Sequence, residues 1–262
     1  MATPAPKTQY DTFAPKYTAY SDLPMARLEA QLIQRALGDL TGQTVLDLGG
    51  GSGSHARRAV DAGATLVDVV DISEAMLQEG RAISAQAGRT DQGRIRWHVG
   101  DAAKPLAEQG VGVVGLEAQY DVAMANWVFD HALSVDDLRG MWENLAAYTK
   151  PGGRFVGVRV LGKAIGAAYV LEAKYGAGLE DLAEIPGGFT CTAVAMTDPP
   201  FRFGVSPMAD SYEMVNEVPR QAGFADFELL PDEECEIVKA DLEYWREHLE
   251  APMFGVVVAR RT

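Results

Sequence analysis

The sequence predicts an α/β fold, a mostly parallel sheet with helices on both faces. Three observations predict it. Short apolar, β-branched runs alternate with amphipathic stretches through the first 160 residues. The first run, Val45–Leu48, breaks into four glycines within Gly49–Gly53 and passes straight into a helical pattern. Several later runs end in polar residues, at Asp71, Asp101 and Asn126, where open parallel sheets collect their ligands.

Composition narrows the classes. At 262 residues and 47% hydrophobic content, one large domain with a sizeable core is expected. Asp and Glu total 37 against 23 Lys and Arg, a net charge of −14, which repels nucleic acid and disfavours it as a partner. Cys191 and Cys235 have neither metal spacing nor a disulfide-dense pattern, so reduced thiols and a cytoplasmic location are expected. No secretory apolar core and no run of 18 uncharged apolar residues occurs, so no membrane span is expected. No His, Asp and Glu cluster has metal-ligand spacing, so no metal is expected.

Taken in order, Tyr10, Phe13, Tyr17 and Tyr20 fall at helical offsets, interrupted by Pro15. They make either a packed helix or a lid over a site. Residues 24–40 form an amphipathic helix with Met25, Leu28, Leu32, Ile33, Ala36 and Leu37 inward. After the glycine turn come a helix at 54–62 and a second strand, 66–71. Asp71 lies 22 residues beyond Gly49, near the spacing of about 20 for a carboxylate that accepts from ribose hydroxyls. Its other reading is a cap for the helix at 74–87, a role Ser73 also suits. The third strand, 95–99, runs into Gly100-Asp101-Ala102, with His98 read as a strand-packing residue. The fourth, 120–126, delivers Trp127–Ala132 to the sheet edge, and Ser134 caps the helix that follows to Tyr148. Lys150-Pro151-Gly152-Gly153 shapes a turn into a fifth strand at 155–161. Residues 162–205 are read as an insertion: a helix at 165–175, a glycine-rich bend, then the aromatic stretches 189–194 and 198–203. A helix at 207–222, imperfect at Pro219, precedes a sixth strand at 223–230. An acidic stretch, helical at 239–249, leads to a seventh strand at 253–259.

The glycine turn has two readings. A dinucleotide fingerprint, G-x-G-x-x-G, fits Gly49 and Gly51 but meets Ser54 at its third position. The pattern acid-x-Gly-x-Gly-x-Gly is met by Asp47, Gly49, Gly51 and Gly53. On these residues the chain resembles the class I S-adenosylmethionine (SAM)-dependent methyltransferases. Gly100-Asp101-Ala102 resembles that family's adenine corner, and Trp127–Ala132 its segment facing the transferred methyl. Thr149–Gly153 resembles its turn before strand five, and the Tyr10–Tyr20 segment resembles the opening of its small-molecule members. The resemblance spans residues 10–160 and 206–262.

The resemblance implies a single methyltransferase domain over 1–262 with a Rossmann-like seven-stranded sheet. The order is 3-2-1-4-5-7-6, the seventh strand antiparallel. It implies an N-terminal helical lid at 10–40 and an active-site cap at 162–205. SAM, leaving as S-adenosylhomocysteine (SAH), would be held by Tyr17, Asp47, Gly49, Gly51, Asp71, Ile72, Asp101, Ala102 and Asn126. Tyr20, Trp127, His131, Phe201 and Phe203 would face the acceptor. His131, with an unperturbed pKa near 6.5, is the catalytic candidate, with positioning as its alternative role and Asp130, Tyr17 and Tyr20 as lesser candidates. The implied reaction is methyl transfer to N or O of a small aromatic or heterocyclic natural-product acceptor, by a monomer or homodimer. Alternatives are a protein or C-methyltransferase, an NAD-dependent oxidoreductase, or a non-enzymatic SAM-binding module.

Overall fold

The computed structural model describes residues 9–12, 18–86, 93–113, 119–162 and 173–262. Phe13, Pro15, Tyr17 and most of the helix expected at 165–175 lie outside the described residues.

The central sheet is built from β1 (Thr44–Leu48), β2 (Leu66–Asp71), β3 (Ile95–Val99), β4 (Tyr120–Met124), β5 (Thr149–Val160), β9 (Phe224–Leu229) and β10 (Phe254–Arg261). Its order is β3-β2-β1-β4-β5-β10-β9. The strands are parallel through β5, and β10 runs antiparallel to both β5 and β9. This is the order the resemblance implies. Strands β1, β2 and β4 read as near-continuous apolar runs because both of their faces are covered.

Helices α1 (Pro24–Leu37), α2 (Ser54–Asp61) and α3 (Glu74–Gln86) cover one face. Helix α4 (Val135–Tyr148) covers the other, packing Leu138, Trp142 and Leu145 against Phe129, Phe155 and Phe224. In α1, Leu28, Leu32, Ile33 and Leu37 are fully buried, each contributing about 1.5–3 kcal/mol. Ser134 Oγ accepts from Asp137 N at 3.1 Å, the cap read from the sequence.

Several boundaries differ from the expectation. Strand β5 begins at Thr149, not Phe155, because Thr149 already pairs with Tyr120. The register then jumps so that Val122 faces Arg154, and residues 150–153 absorb the slack as a bulge. The helix expected over 207–222 is two short ones, α5 (Ala209–Tyr212) and α6 (Glu217–Gln221). Met214 and Asn216 between them are left-handed, and Asp210 Oδ1 accepts from Glu217 N at 2.7 Å. Pro219 sits in the first turn of α6, where its missing N–H has no intrahelical partner to lose. The helix expected at 239–249 is α7 (Glu236–Lys239) and α8 (Leu242–Glu250), separated by the Asp241 cap.

Between β5 and β9 lies a second, antiparallel sheet of β6 (Ala177–Ile185), β7 (Gly188–Ala195) and β8 (Phe201–Val205), in that order. Strand β6 was expected as a bend. A register shift between Glu180 and Ala183, with Asp181 at φ 57°, hides its two-residue period. At the N-terminus, the described residues form two single turns, Gln9–Thr12 and Thr18–Asp22. The first is clasped: the Gln9 amide exchanges two 2.8 Å hydrogen bonds with the Gly204 backbone. Asp11 accepts from Ser73 Oγ at 2.5 Å.

Candidate active site

The glycine turn sits at the carboxyl end of β1. Gly49 N donates to Val70 O at 2.7 Å, and Gly51 N donates to Asp71 Oδ2 at 2.8 Å, so the turn is tied to β2. Gly51 has φ +54°, which disfavours any side chain there. A Cβ at Gly49 would lie 2.5 Å from Val128 Cγ2. The backbone therefore lies open along a cavity of about 260 Å³.

Of the expected cofactor residues, Gly49, Gly51, Asp71, Ile72, Asp101, Ala102 and Asn126 all line this cavity. Asp71 Oδ1 accepts from Ser73 N at 2.8 Å, and the residue lines the cavity. Burial pushes its pKa up, against the backbone donors of Ser73 and Gly51. Asp101 Oδ1 accepts from Ala103 N at 2.9 Å and shapes its corner. Asp47 is placed differently. It is fully buried behind the turn, not on the cavity wall, and a Cβ on Gly50 would meet its carboxylate at 2.6 Å. Neither of its oxygens has a hydrogen-bond partner, and burial pushes its pKa up to about 7. Tyr17 lies outside the described residues.

Of the expected acceptor residues, Tyr20, Trp127 and His131 line both this cavity and a smaller adjoining chamber of about 70 Å³. Phe203 lines the chamber. Phe201 does not; it is buried beside Phe203, ring centroids 5.9 Å apart. Trp127 stands at φ +64°, a strained value for a bulky residue, which turns the chain across the sheet edge. His131 Nε2 is 2.9 Å from Tyr10 Oη, and burial lowers its pKa to about 4. It is neutral at pH 7 and a weak base.

Sequence reading missed one contributor. Glu29, on the apolar face of α1, is 4% exposed and lies 2.9 Å from His55 Nε2 through its Oε1. Tyr20 Oη donates to its Oε2 at 3.4 Å. An acid inside an apolar helical stripe was the available signal. Tyr10 lines both spaces, and Asp130 lines the chamber. Tyr10 belongs to the expected lid segment, and Asp130 was a lesser catalytic candidate beside His131.

Some of the buried polar atoms without partners lie on the wall of the large cavity. Asn126 Oδ1 and Nδ2, Trp127 Nε1 and His55 Nδ1 are all buried and unbonded within the protein. Native structures satisfy the great majority of such groups, so their presence on the wall of an open glycine cradle fits a polar ligand. Among the described residues no group of His, Cys, Asp and Glu could hold a metal ion, and no helix is long and apolar enough to cross a membrane.

This sheet order is that of the class I SAM-dependent methyltransferase fold. In agreement, residues 46–155 match the methyltransferase domain family. Among solved structures, the CcbJ methyltransferase of Streptomyces caelestis is similar at 20% identity and TM-score 0.63, over 98% of this chain and 97% of that one. A SAM-dependent methyltransferase of Mesorhizobium loti is similar at 22% identity and TM-score 0.57, over 92% and 100%. A Haemonchus contortus phosphoethanolamine N-methyltransferase, solved with SAH, is similar at 17% identity and TM-score 0.54, over 97% and 58%. No curated protein matches the sequence.

Proposed function

We propose that the protein transfers the methyl group of SAM to nitrogen or oxygen of a small natural-product-like acceptor held in the aromatic-walled chamber. The observation carrying this is continuity: Tyr10, Tyr20, Trp127 and His131 belong to both the large cavity and the chamber. SAM, when bound, supplies a methyl group on a sulfonium sulfur.

The chain's own residues would hold and align the two partners. Asp71 keeps unused lone pairs for the ribose hydroxyls, Ile72 packs beside them, and Asp101 and Ala102 bound the adenine corner. Gly49 and Gly51 let the backbone approach the methionine part, and Asn126 offers a donor and an acceptor from the end of β4. The second sheet, within residues 162–205, acts as the cap, and the clasped N-terminal segment acts as the lid. Both exclude water, which favours an aligned displacement. His131, neutral and held by Tyr10, positions the acceptor and does not take its proton.

The test is release of SAH from SAM with a panel of small amines, heterocycles and phenols, followed by mass spectrometry. SAM that binds but is never turned over with any acceptor would favour a binding module.

A further inference from the structure

We propose that the acceptor is a small amine whose ammonium end pairs with Asp130, and that Asp130 receives the proton that the nitrogen must lose before it is methylated. This rests on the methyl-transfer reading above and narrows its acceptor class.

Asp130 is 4% exposed and lines the chamber. The short helical turn Val128–His131 fixes it, with its backbone N–H donating to Trp127 O and its carbonyl accepting from Ser206 N. One carboxylate oxygen accepts from the Val160 backbone N–H. The other, Oδ1, is buried with no partner. A buried carboxylate oxygen left bare costs free energy that only a donor can recover.

No described side chain donates to it. Arg159 is fully buried; its Nη1 donates to Asn216 Oδ1 at 2.8 Å and its guanidinium lies over Phe129 and Trp142, while its Nε and Nη2 have no partner. It forms no ion pair with Asp130 among the described residues. Its charge still favours the ionised carboxylate from a distance, while burial, the larger effect, brings the Asp130 pKa up to about 7. The other titratable groups at the chamber are the Cys191 thiol, pushed up to about 12 by burial, neutral His131, and the phenols Tyr10 and Tyr20. None brings a positive charge.

The remaining wall is apolar or aromatic, including Trp127, Leu179 and Phe203, and aromatic faces attract cations. A water-sized group takes about 10–15 Å³ on this measure, so the chamber's 70 Å³ holds roughly five heavy atoms. An ammonium head and its first carbons fit.

The chemistry balances. The ammonium N–H proton passes to the Asp130 carboxylate, giving a carboxylic acid and a neutral amine with a free lone pair. That pair forms the new N–C bond to the methyl group as the C–S bond breaks, its electrons remaining on sulfur as a neutral thioether. The product leaves as a methylated ammonium, and Asp130 then releases its proton to water.

The test is calorimetric titration at pH 7, with and without saturating SAH, of propylamine against 1-propanol and of butylamine against 1-butanol. The amine of each pair should bind at least about tenfold tighter, as a charge-assisted hydrogen bond requires. Asp130→Asn should abolish that preference and leave SAH affinity unchanged. Equal or tighter binding of the alcohols, SAH binding with neither amine retained, or an Asp130→Asn protein that keeps the preference would each overturn the assignment. Should Asp130→Asn not fold, the wild-type preference within each pair decides. Amine preference without any SAH binding would instead sink the methyl-transfer reading and leave the Asp130 site standing.

Discussion

Asp47 and Asp68 are both fully buried, on the neighbouring strands β1 and β2. The parallel register sets Asp68 beside Leu46 and Asp47 beside Val69, so the two carboxylates point to opposite faces of the sheet. Asp68 accepts from Arg96 Nε at 2.7 Å and Tyr120 Oη at 2.8 Å, and His98 Nε2 lies 2.6 Å away. Burial pushes its pKa up, but hydrogen bonds from His98, Arg96 and Tyr120 outweigh that and hold it below the usual carboxylate range. Asp47 has no partner at all and titrates at about 7. One residue closes the fold. The other lies behind the glycine turn, whose cavity Asn126 and Trp127 line with unpartnered polar atoms of their own. Stability belongs to the first region and binding to the second.

Substitutions can break this division. Asp68→Ala strips three donors of a shared buried acceptor and should cost about 3 kcal/mol or more, read as a fall in melting temperature, with SAM affinity unchanged in the surviving folded protein. Gly51→Val should do the reverse. Its positive φ and its place on the cradle predict loss of detectable SAM binding with an unchanged circular-dichroism spectrum. Asp71→Ala should weaken SAM by about 1.5–3 kcal/mol in calorimetry, the value of hydrogen bonds to a charged group.

The two carboxylates also predict opposite pH responses. Asp68, with its folded pKa depressed, contributes stability present above its unfolded value near 3.8 and lost as pH falls through the folded pKa. Asp47, with its folded pKa raised to about 7, does the opposite: it is most favourable below 3.8 and loses stability as pH rises to 7. Asp130 adds to the same trend. The ligand-free protein should therefore weaken between pH 5 and 7, by at most about 1.4 kcal/mol per pH unit for each group. Asp47→Asn should flatten that slope in denaturant unfolding, and an unaltered slope would contradict the assignment.

The smallest effect is expected at His131. With its pKa at about 4 and Tyr10 on its Nε2, His131→Gln should lower the maximal rate by no more than about tenfold and keep the rising pH limb. A loss above about a hundredfold with that limb gone would make it the base.

The sequence exposed what is local. The glycine turn, Asp71 and the Gly100–Ala102 corner are carried by residues adjacent in the chain, and the strand order followed from their resemblance to a known family. The chamber was less legible because distant segments assemble it. Tyr10 meets His131 across 121 residues, and Ser206 fixes Asp130 across 76. Glu29 looked like part of a helix, and only packing brings His55 and Tyr20 to it. Strand β6 was hidden by its acids and its bulge, because a strand with one wet face needs little apolar sequence.

The most direct measurement of the central claim is a calorimetric titration of the wild-type protein with SAH, with NAD⁺ as the control. The unsatisfied polar groups around the glycine cradle predict saturable one-to-one SAH binding and no heat with NAD⁺. No SAH binding, or binding of NAD⁺ in its place, would contradict the account.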